Sequence, residues 1–539
     1  MQKFPRRWIL WLAVAAMAGF VWAIRQSGDV QQPTAPATTG RTVAVRQPDP
    51  DEVPDGKTAT IVAEETDWTV KPGLSFKAWT FNGTIPGTVL RVTEGDTVSV
   101  KLVNRLPVPV SIHWHGVPVP NAMDGVPGVT QNAVAPGKAF LYEFKATVPG
   151  TYWYHSHQTS AEQVDRGLYG VLIVEPKAPA VRADRDYTLV LDEWTSAPDA
   201  GGAGDGSSGM SGAGGMGGMS GMSGMSGMNH TGGMSMGDMN MNGMDMAMAA
   251  YTTFGINGKA YPDTDRLVVR KGERVRLRLV NAGFITHKIH IHGHDVRIVA
   301  TDGQPIENPP AFRDRLIAVA PGERYDVEFV ADNPGRWLIE CHGDMAGTPD
   351  MKAEIVYEGS ENAKADRPDD GVALPEIDLA GYAAAGSADG GAGEFAAFDR
   401  EFDLKLGAEM RMGSSMGMVY TINGRTYPDT EPLRVRKGDR VKIRLENVSD
   451  VDHPMHLHGH FFQVLSKNGR PVTGVLRKDT LNVKPGEVYE IAFVADNPGN
   501  WMFHCHELHH AAAGMVTEVL YDGFQPAFTP DATMGNQPE

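Results

Sequence analysis

His504-Cys505-His506-Glu507-Leu508-His509-His510-Ala511-Ala512-Ala513-Gly514-Met515 is the stretch around which the chain reads. In an extended strand alternate side chains face opposite sides, so Cys505 points one way while His504 and His506 point the other. One tripeptide thus serves two sites. A thiolate at Cys505, an imidazole at His510 and a thioether at Met515 are soft ligands, and two His with one Cys and a weak axial Met is the recipe of a blue-copper electron-transfer centre. The second imidazole is available in His453-Pro454-Met455-His456-Leu457-His458-Gly459-His460, where His453 completes the set and His456 and His458 share one strand face. Two further pairs lie upstream, His113 with His115 and His155 with His157. With His453 and His510 given to the sulfur site, the four H-x-H pairs leave eight imidazoles facing whatever His504 and His506 face, the number that three coppers would take as two, three and three.

Length and composition bound the rest. At 539 residues the chain fits about three domains once export and linker segments are set aside, on a prior of roughly 100 to 200 residues each. A net charge of −17 argues against nucleic acid or an anionic membrane face as partner and favours metal cations. Cys341 and Cys505 give no disulfide framework.

Residues 1–27 carry three basic residues and then an apolar run from Trp8 to Ile24, which predicts an export signal peptide or an N-terminal membrane anchor, and hence a periplasmic or extracellular location. A linker, 28–56, follows. From residue 57 the pattern is β: Thr97–Arg105, Arg274–Asn281 and Arg440–Asn447 alternate apolar and polar, and Gly, Pro and Asn-Pro-Gly turns punctuate them. An internal repeat organises the chain. INGKAYPDTDRLVVRKGERVRLRLVN, 256–281, returns as INGRTYPDTEPLRVRKGDRVKIRLEN, 422–447, and VADNPGRWLIEC, 330–341, returns as VADNPGNWMFHC, 494–505. A more distant version occupies 81–104 and 149–157. The predicted organisation is all-β, with tandem sandwich units at 57–197, 251–360 and 395–523, an insert at 198–250, a linker at 361–394 and an unstructured tail at 524–539.

Thirteen methionines crowd the insert, between Met210 and Met248. Such a segment is too poor in branched and aromatic residues to offset its ordering entropy. It reads either as a plain spacer or as a Cu(I) recruiter, since thioethers suit Cu(I). In the middle repeat His287, His290 and His292 align with His453, His456 and His458, Glu340-Cys341-His342 with His504-Cys505-His506, and Met351 with Met515, but Ala346 stands opposite His510. That predicts a degenerate copper site, with an altered mononuclear metal site as the other reading.

The four motifs HWHG, WYHSH, HPMHLHGH and HCHELHHAAAGM, in this order, resemble those of the multicopper oxidases, the family of laccases, ferroxidases and bacterial copper-tolerance oxidases, over about residues 58 to 522. The resemblance implies three tandem cupredoxin-like Greek-key β-sandwich domains and four copper ions. His453, Cys505, His510 and Met515 would bind the type 1 copper, and His113 and His456 the type 2 copper. His115, His155 and His506 would bind one type 3 copper, and His157, His458 and His504 the other. Electrons would enter at an exposed edge of His510 or His453 and reduce O2 to water. Asp124, in an MDGVPG turn, matches the family's acid beside the cluster, and could equally be a turn residue; Glu507 is a weaker proton-delivery candidate. His460 and His509 are left as orienting or surface groups. Three readings stay open: an oxidase of Cu(I) or another metal ion in copper tolerance, a laccase acting on phenols, and a non-enzymatic copper-binding protein. A copper nitrite reductase has no use for eight cluster histidines.

Overall fold

The protein is seen in a computed structural model that describes residues 58–179, 182–195, 251–343, 345–366, 373–386, 395, 397–412 and 416–539. The export segment, the first linker and the methionine-rich insert lie outside the described residues, as does part of the second linker.

The fold is all-β, three cupredoxin-like sandwiches in tandem, with three short helices at Ser160–Asp165, Leu379–Gly386 and Leu508–Ala512 among the described residues. Each sandwich pairs two sheets. In the first, one sheet runs Leu74–Phe81, Thr58–Lys71, Thr97–Asn104, Ala139–Lys145, and the other Gly87–Thr93, Tyr169–Glu175, Gly150–His155, His113–His115. The second and third repeat this order but extend it, by two and three strands in the first of the sheets and by a fifth strand beside the histidine strand in the other: Leu433–Val435, Val516–Tyr521, Asn500–Cys505, His453–Leu457, Thr480–Val483 in the third. The alternation read in the sequence is the alternation of burial. In Arg440–Asn447 every second residue is buried, with Val441, Ile443 and Leu445 in the core and Arg440, Lys442 and Arg444 outward. Each buried Val, Ile or Leu of this kind contributes about 1.5–3 kcal/mol. One apolar cluster continues through all three sandwiches, from Val70 to Tyr521.

One boundary moves. Arg185–Thr195, inside the range assigned to the first unit, is hydrogen-bonded antiparallel to Tyr251–Ile256 and parallel to Arg274–Asn281. It is the opening strand of the middle sandwich, in the place that Thr58–Lys71 and Arg400–Met412 take in the others. The repeat is recognisable only from Ile256 because the long insert separates the opening strand from its partner. The insert therefore falls within the middle sandwich, between its first two strands.

The loops leading into the histidine strands share one fastening. Asn104, Asn281 and Asn447 each end a core strand, buried. Each amide donates to two backbone carbonyls, Val108 and Val134, Ile285 and Val319, or Val451 and Val483, and its oxygen accepts an N–H two residues on. A buried amide so saturated fixes the loop without leaving an unpaired polar atom.

The tail also departs from expectation. Its polar, proline-containing composition predicts no structure, yet it docks on the first sandwich. Asn536 Oδ1 accepts from Ala133 N at 2.8 Å, Gln537 O accepts from Thr159 N at 2.9 Å, and Gly535 O from the Gln158 amide at 2.8 Å. Composition does not register such tertiary hydrogen bonds.

Candidate metal centre

Two strand pairs build the site. His113 lies opposite His155 in the first sandwich, and His456 opposite His504 in the third. Period two then places His113, His115, His155 and His157 on one side of the seam and His456, His458, His504 and His506 on the other, all buried. His113 stacks on His458 with ring centroids 3.9 Å apart, and His115 on His456 at 3.7 Å. His115, His155 and His506 lie 4.7 to 5.8 Å apart by ring centroid. The ligand nitrogens of His157, His458 and His504 fall within 4.8 Å of one another. His113 and His456 are 5.8 Å apart, and with His458 they form another such group.

The outer nitrogens show which atoms face inward. Nδ1 of His113 meets Asp124 O at 2.8 Å, that of His155 Ser156 O at 2.9 Å, that of His157 Pro538 O at 2.6 Å, that of His456 Asp479 O at 3.0 Å and that of His504 Cys505 O at 2.9 Å. Carbonyls only accept, so each Nδ1 carries the proton and each Nε2 is left with its lone pair. Nε2 of His113, His155, His157 and His456 is buried without a hydrogen-bond partner. His115 is turned round: its Nε2 meets Thr480 Oγ1 at 3.0 Å and its Nδ1 is the orphan. Burial, reinforced by the neighbouring rings, holds His115, His155, His157, His458, His504 and His506 well below the ordinary imidazole pKa. Neutral imidazoles with inward lone pairs, and no polar partner for several of them, suit metal cations and little else.

On the opposite face of the tripeptide, Cys505 Sγ lies 3.8 Å from His453 Nδ1 and 3.6 Å from His510 Nδ1. Met515 is buried beside them, its carbonyl accepting from Cys505 N at 3.0 Å and its own N–H bonded to His510 O. Burial pushes the Cys505 thiol well above its usual range, so a metal cation bound there must displace a proton. Neither imidazole shows the exposed edge expected of an electron entry. His453 and His510 are both buried; Tyr420 stacks on His510 with centroids 3.8 Å apart, and Ser449 Oγ meets His453 Nε2 at 2.8 Å.

Asp124 stands behind the cage. Its Oδ2 is 2.9 Å from His458 Nδ1 and its Oδ1 3.2 Å from His113 Nδ1, bridging a histidine of each sandwich. Glu507 is not brought to the cage, contrary to its reading as a proton donor there. It caps the helix Leu508–Ala512, accepting from His509 N and His510 N, with Oε2 3.2 Å from His510 Nε2. A carboxylate is the preferred partner for the unsatisfied N–H groups of a first turn, and that need draws it to the sulfur side. Although burial raises its pKa, His510 and His509 hold it below the usual value. His460, like its counterpart His294, is a strut: Nε2 to a tyrosine hydroxyl, Tyr521 or Tyr357, and Nδ1 to the carbonyl two residues back. His509 is one-third exposed and packs on Phe284, centroids 4.7 Å apart.

Several groups carry no motif and escaped the sequence reading. Asp479 Oδ1 lies 3.2 Å from His115 Nε2 and 3.5 Å from His456 Nδ1. Arg324, from the middle sandwich, grips Asp479 with two bonds, 2.7 and 2.6 Å, both side chains fully buried. Gly116, in the HWHG motif, has φ of +78°, and a Cβ there would fall 2.3 Å from Asp479 Oδ2, so the motif glycine makes room for this pair. Glu539 in the tail, held by Ser160 Oγ, places Oε1 3.3 Å from His157 Nε2, misaligned for a hydrogen bond. Adjacent charges in an otherwise apolar-rich stretch, Lys478-Asp479 at the junction of two short strands, were the available signal for the first of these; the tail offered none.

In the middle sandwich the sulfur side is different. His287 Nε2 is 2.9 Å from Glu193 Oε2, and Nδ1 3.9 Å from Cys341 Sγ. Burial lowers the His287 pKa, but Cys341 and Glu193 outweigh it and push it up to about 10. A protonated imidazole repels a metal cation. With Ala346 where the second imidazole would stand, the blue-type set is not repeated here.

An all-β chain with a thiol-imidazole pair backing onto an eight-imidazole cage defines a copper protein of the cupredoxin class. Two family models, each described as multicopper oxidase, match residues 62–179 and residues 234–359 with 400–523. The multicopper oxidase MmcO of Mycobacterium tuberculosis is 32% identical over 96% of this chain and 97% of its own. Copper resistance protein A of Escherichia coli is 28% identical over 83% of this chain and 90% of its own. The crystal structure of a multi-copper oxidase from Pseudomonas thermotolerans superposes with a TM-score of 0.61 at 27% identity, covering 86% of this chain and 98% of that one. The chain belongs to the multicopper oxidases, copper enzymes that oxidise a donor with O2 as acceptor.

Proposed function

We propose that the protein is a four-copper oxidase that withdraws single electrons from Cu(I) or another metal ion, in copper tolerance, and passes them to O2. The observation that carries this reading is the joining of His504, Cys505 and His506 in one tripeptide, with the thiol on one side and the two imidazoles in the cage on the other. His453, Cys505, His510 and Met515 would hold the type 1 copper, His113 and His456 the type 2, and the triads His115, His155, His506 and His157, His458, His504 the two type 3 ions. Copper so held would supply a one-electron couple at the sulfur and, in the cage, the site at which O2 takes up four electrons. The chain does the rest. Cys505 is bonded through one backbone step to each of two cage imidazoles. The carbonyls and Thr480 fix the ring orientations. Asp124 Oδ2 lies 2.9 Å from His458 Nδ1, one imidazole away from the cage, where it can relay the protons that the formation of water consumes.

Thioether-rich residues Met210 to Met248 and the name of the Escherichia coli relative both favour Cu(I) over phenols. Laccase-type phenol oxidation stays the second reading, on the same cage. Deleting 198–250 is expected to lower kcat/KM for Cu(I) by about 10-fold or more and leave a phenol such as dimethoxyphenol unaffected; loss of both equally, or of neither, sinks the metal-ion reading. Export by residues 1–27 and action outside the cytoplasm belong to the same proposal. Among the described residues no helix is long and apolar enough to cross a membrane.

Asp124→Asn tests the proton step. The visible copper spectrum should stay the same while kcat falls by about 10²-fold with KM for the donor unchanged, the range set by loss of a general acid. An unaltered kcat would remove Asp124 from the mechanism.

A further inference from the structure

The middle sandwich keeps most of one half of a cage. His290 lies opposite Glu340 across two antiparallel strands, as His456 lies opposite His504, and His292 and His342 repeat the positions of His458 and His506. Three of four imidazoles remain, and the fourth position is a carboxylate. Ligand atoms of His290, His292 and His342 lie within 4.8 Å of one another. Glu340 Oε1 reaches between two of them, 3.0 Å from His292 Nε2 and 3.5 Å from His342 Nε2. His290 Nε2 is 3.7 Å from Asp314 Oδ1. Among the described residues nothing on this face contributes a second set of four imidazoles, as the first sandwich does for the third. The half-cage is sized for one ion.

We infer that the middle sandwich binds one borderline divalent cation, Zn(II) or Cu(II), through His290, His292, His342 and the Glu340 carboxylate. Three imidazoles and one carboxylate make the four-ligand N3O set that zinc takes and that Cu(II) accepts. The scaffold is in place. His294 Nδ1 holds the His292 carbonyl at 2.8 Å and its Nε2 the Tyr357 hydroxyl at 2.8 Å, the same two contacts by which His460 steadies His458. Lys352 Nζ, 3.1 Å from Glu340 Oε2, orients the carboxylate. His342 is one-fifth exposed and opens the site to solvent. The bland alternative is a self-sufficient ion-pair cluster of Glu340, Lys352 and the histidines, which would bind no metal.

The site is separate from the redox machinery, so its failure leaves the oxidase reading intact. Zn(II) is the probe, because thioethers are poor zinc ligands and the methionine-rich insert then stays silent. Calorimetric titration of the copper-loaded enzyme should find one Zn(II) equivalent beyond its copper, absent in His342→Ala and weakened at least about 10-fold in Glu340→Gln, with blue absorption and donor oxidation unchanged. Co(II) in the same site should give the intense visible bands of a tetrahedral ion. The inference is overturned if the parent takes up neither an extra Zn(II) nor a further copper that His342→Ala lacks, or if His342→Ala and His292→Gln bind the ion with the parent's stoichiometry and affinity. His342 lies at a partly open strand exit, so His342→Ala keeps the test valid should His292→Gln lose its melting transition.

Discussion

Replacing Cys505 by serine is expected to lower donor oxidation by more than about 10²-fold and to remove one copper and the intense visible absorption with it. The lower bound is what loss of a group supporting a metal ligand costs, and Cys505 is proposed as a ligand itself. Serine is nearly the same size, so the buried strand Asn500–Cys505 keeps its packing and melting should move little. What changes is the donor atom, since a hard hydroxyl does not replace a soft thiolate for copper. The eight imidazoles on the other face of the strand keep their neighbours, so copper in the cage should persist, measured as a loss of one copper per chain relative to the parent. Retained turnover or retained blue colour in Cys505→Ser would dismiss the sulfur centre as the point of electron entry.

Arg324→Met is expected to destabilise the protein by about 3–5 kcal/mol, the usual effect of removing one partner of a buried ion pair. Asp479 is fully buried, and the two guanidinium bonds at 2.7 and 2.6 Å are its principal compensation. Arg324 is bonded in addition to Gly322 O at 3.0 Å and Thr151 O at 3.3 Å, so one side chain touches all three sandwiches. Nearby Lys478 is occupied by Asp302 and Glu323, at 3.0 and 3.1 Å. Although burial opposes it, Arg324 holds the Asp479 carboxyl well below its ordinary value, so protonation gives no relief near neutrality. Asp479→Asn on top of Arg324→Met removes the stranded charge and should recover most of the loss, while leaving the backbone carbonyl that orients His456. Calorimetric melting of parent, singles and double checks this. If Arg324→Met melts within about 1 °C of the parent, or if the double variant is as unstable as the sum of the singles, the ion pair is not what joins the sandwiches here.

What the sequence made legible was what repeats at short range. Alternation in Arg440–Asn447 became alternate burial, and the spacing of His504, Cys505 and His506 became two faces of one strand, because both follow from the period of an extended chain. The cage itself could be counted but not located, since only the fold brings His113 against His458. Groups without a metal-binding signature were invisible: Arg324 and Asp479 act by pairing across sandwiches, and no local pattern announces a partner 155 positions away. Glu507 was misplaced for a related reason. The family resemblance made it a proton-delivery candidate, whereas the turn after the strand gave its carboxylate a helix start to cap. The opening strand of the middle sandwich was lost to the insert that follows it, and the docked tail to a composition that resembles loop.

Asn104, Asn281 and Asn447 fasten three histidine loops in one way, yet only the first and third loops deliver rings into a common space. Those two are separated along the chain by the whole middle sandwich. A growing polypeptide that has completed its first sandwich therefore owns four orphaned imidazoles and nothing to close over them, and copper met at that stage would be held by half the final ligands. Metallation of the cage is bound to be a late event, waiting on synthesis of the last strands, which makes the enzyme's maturation a matter of timing as much as of affinity.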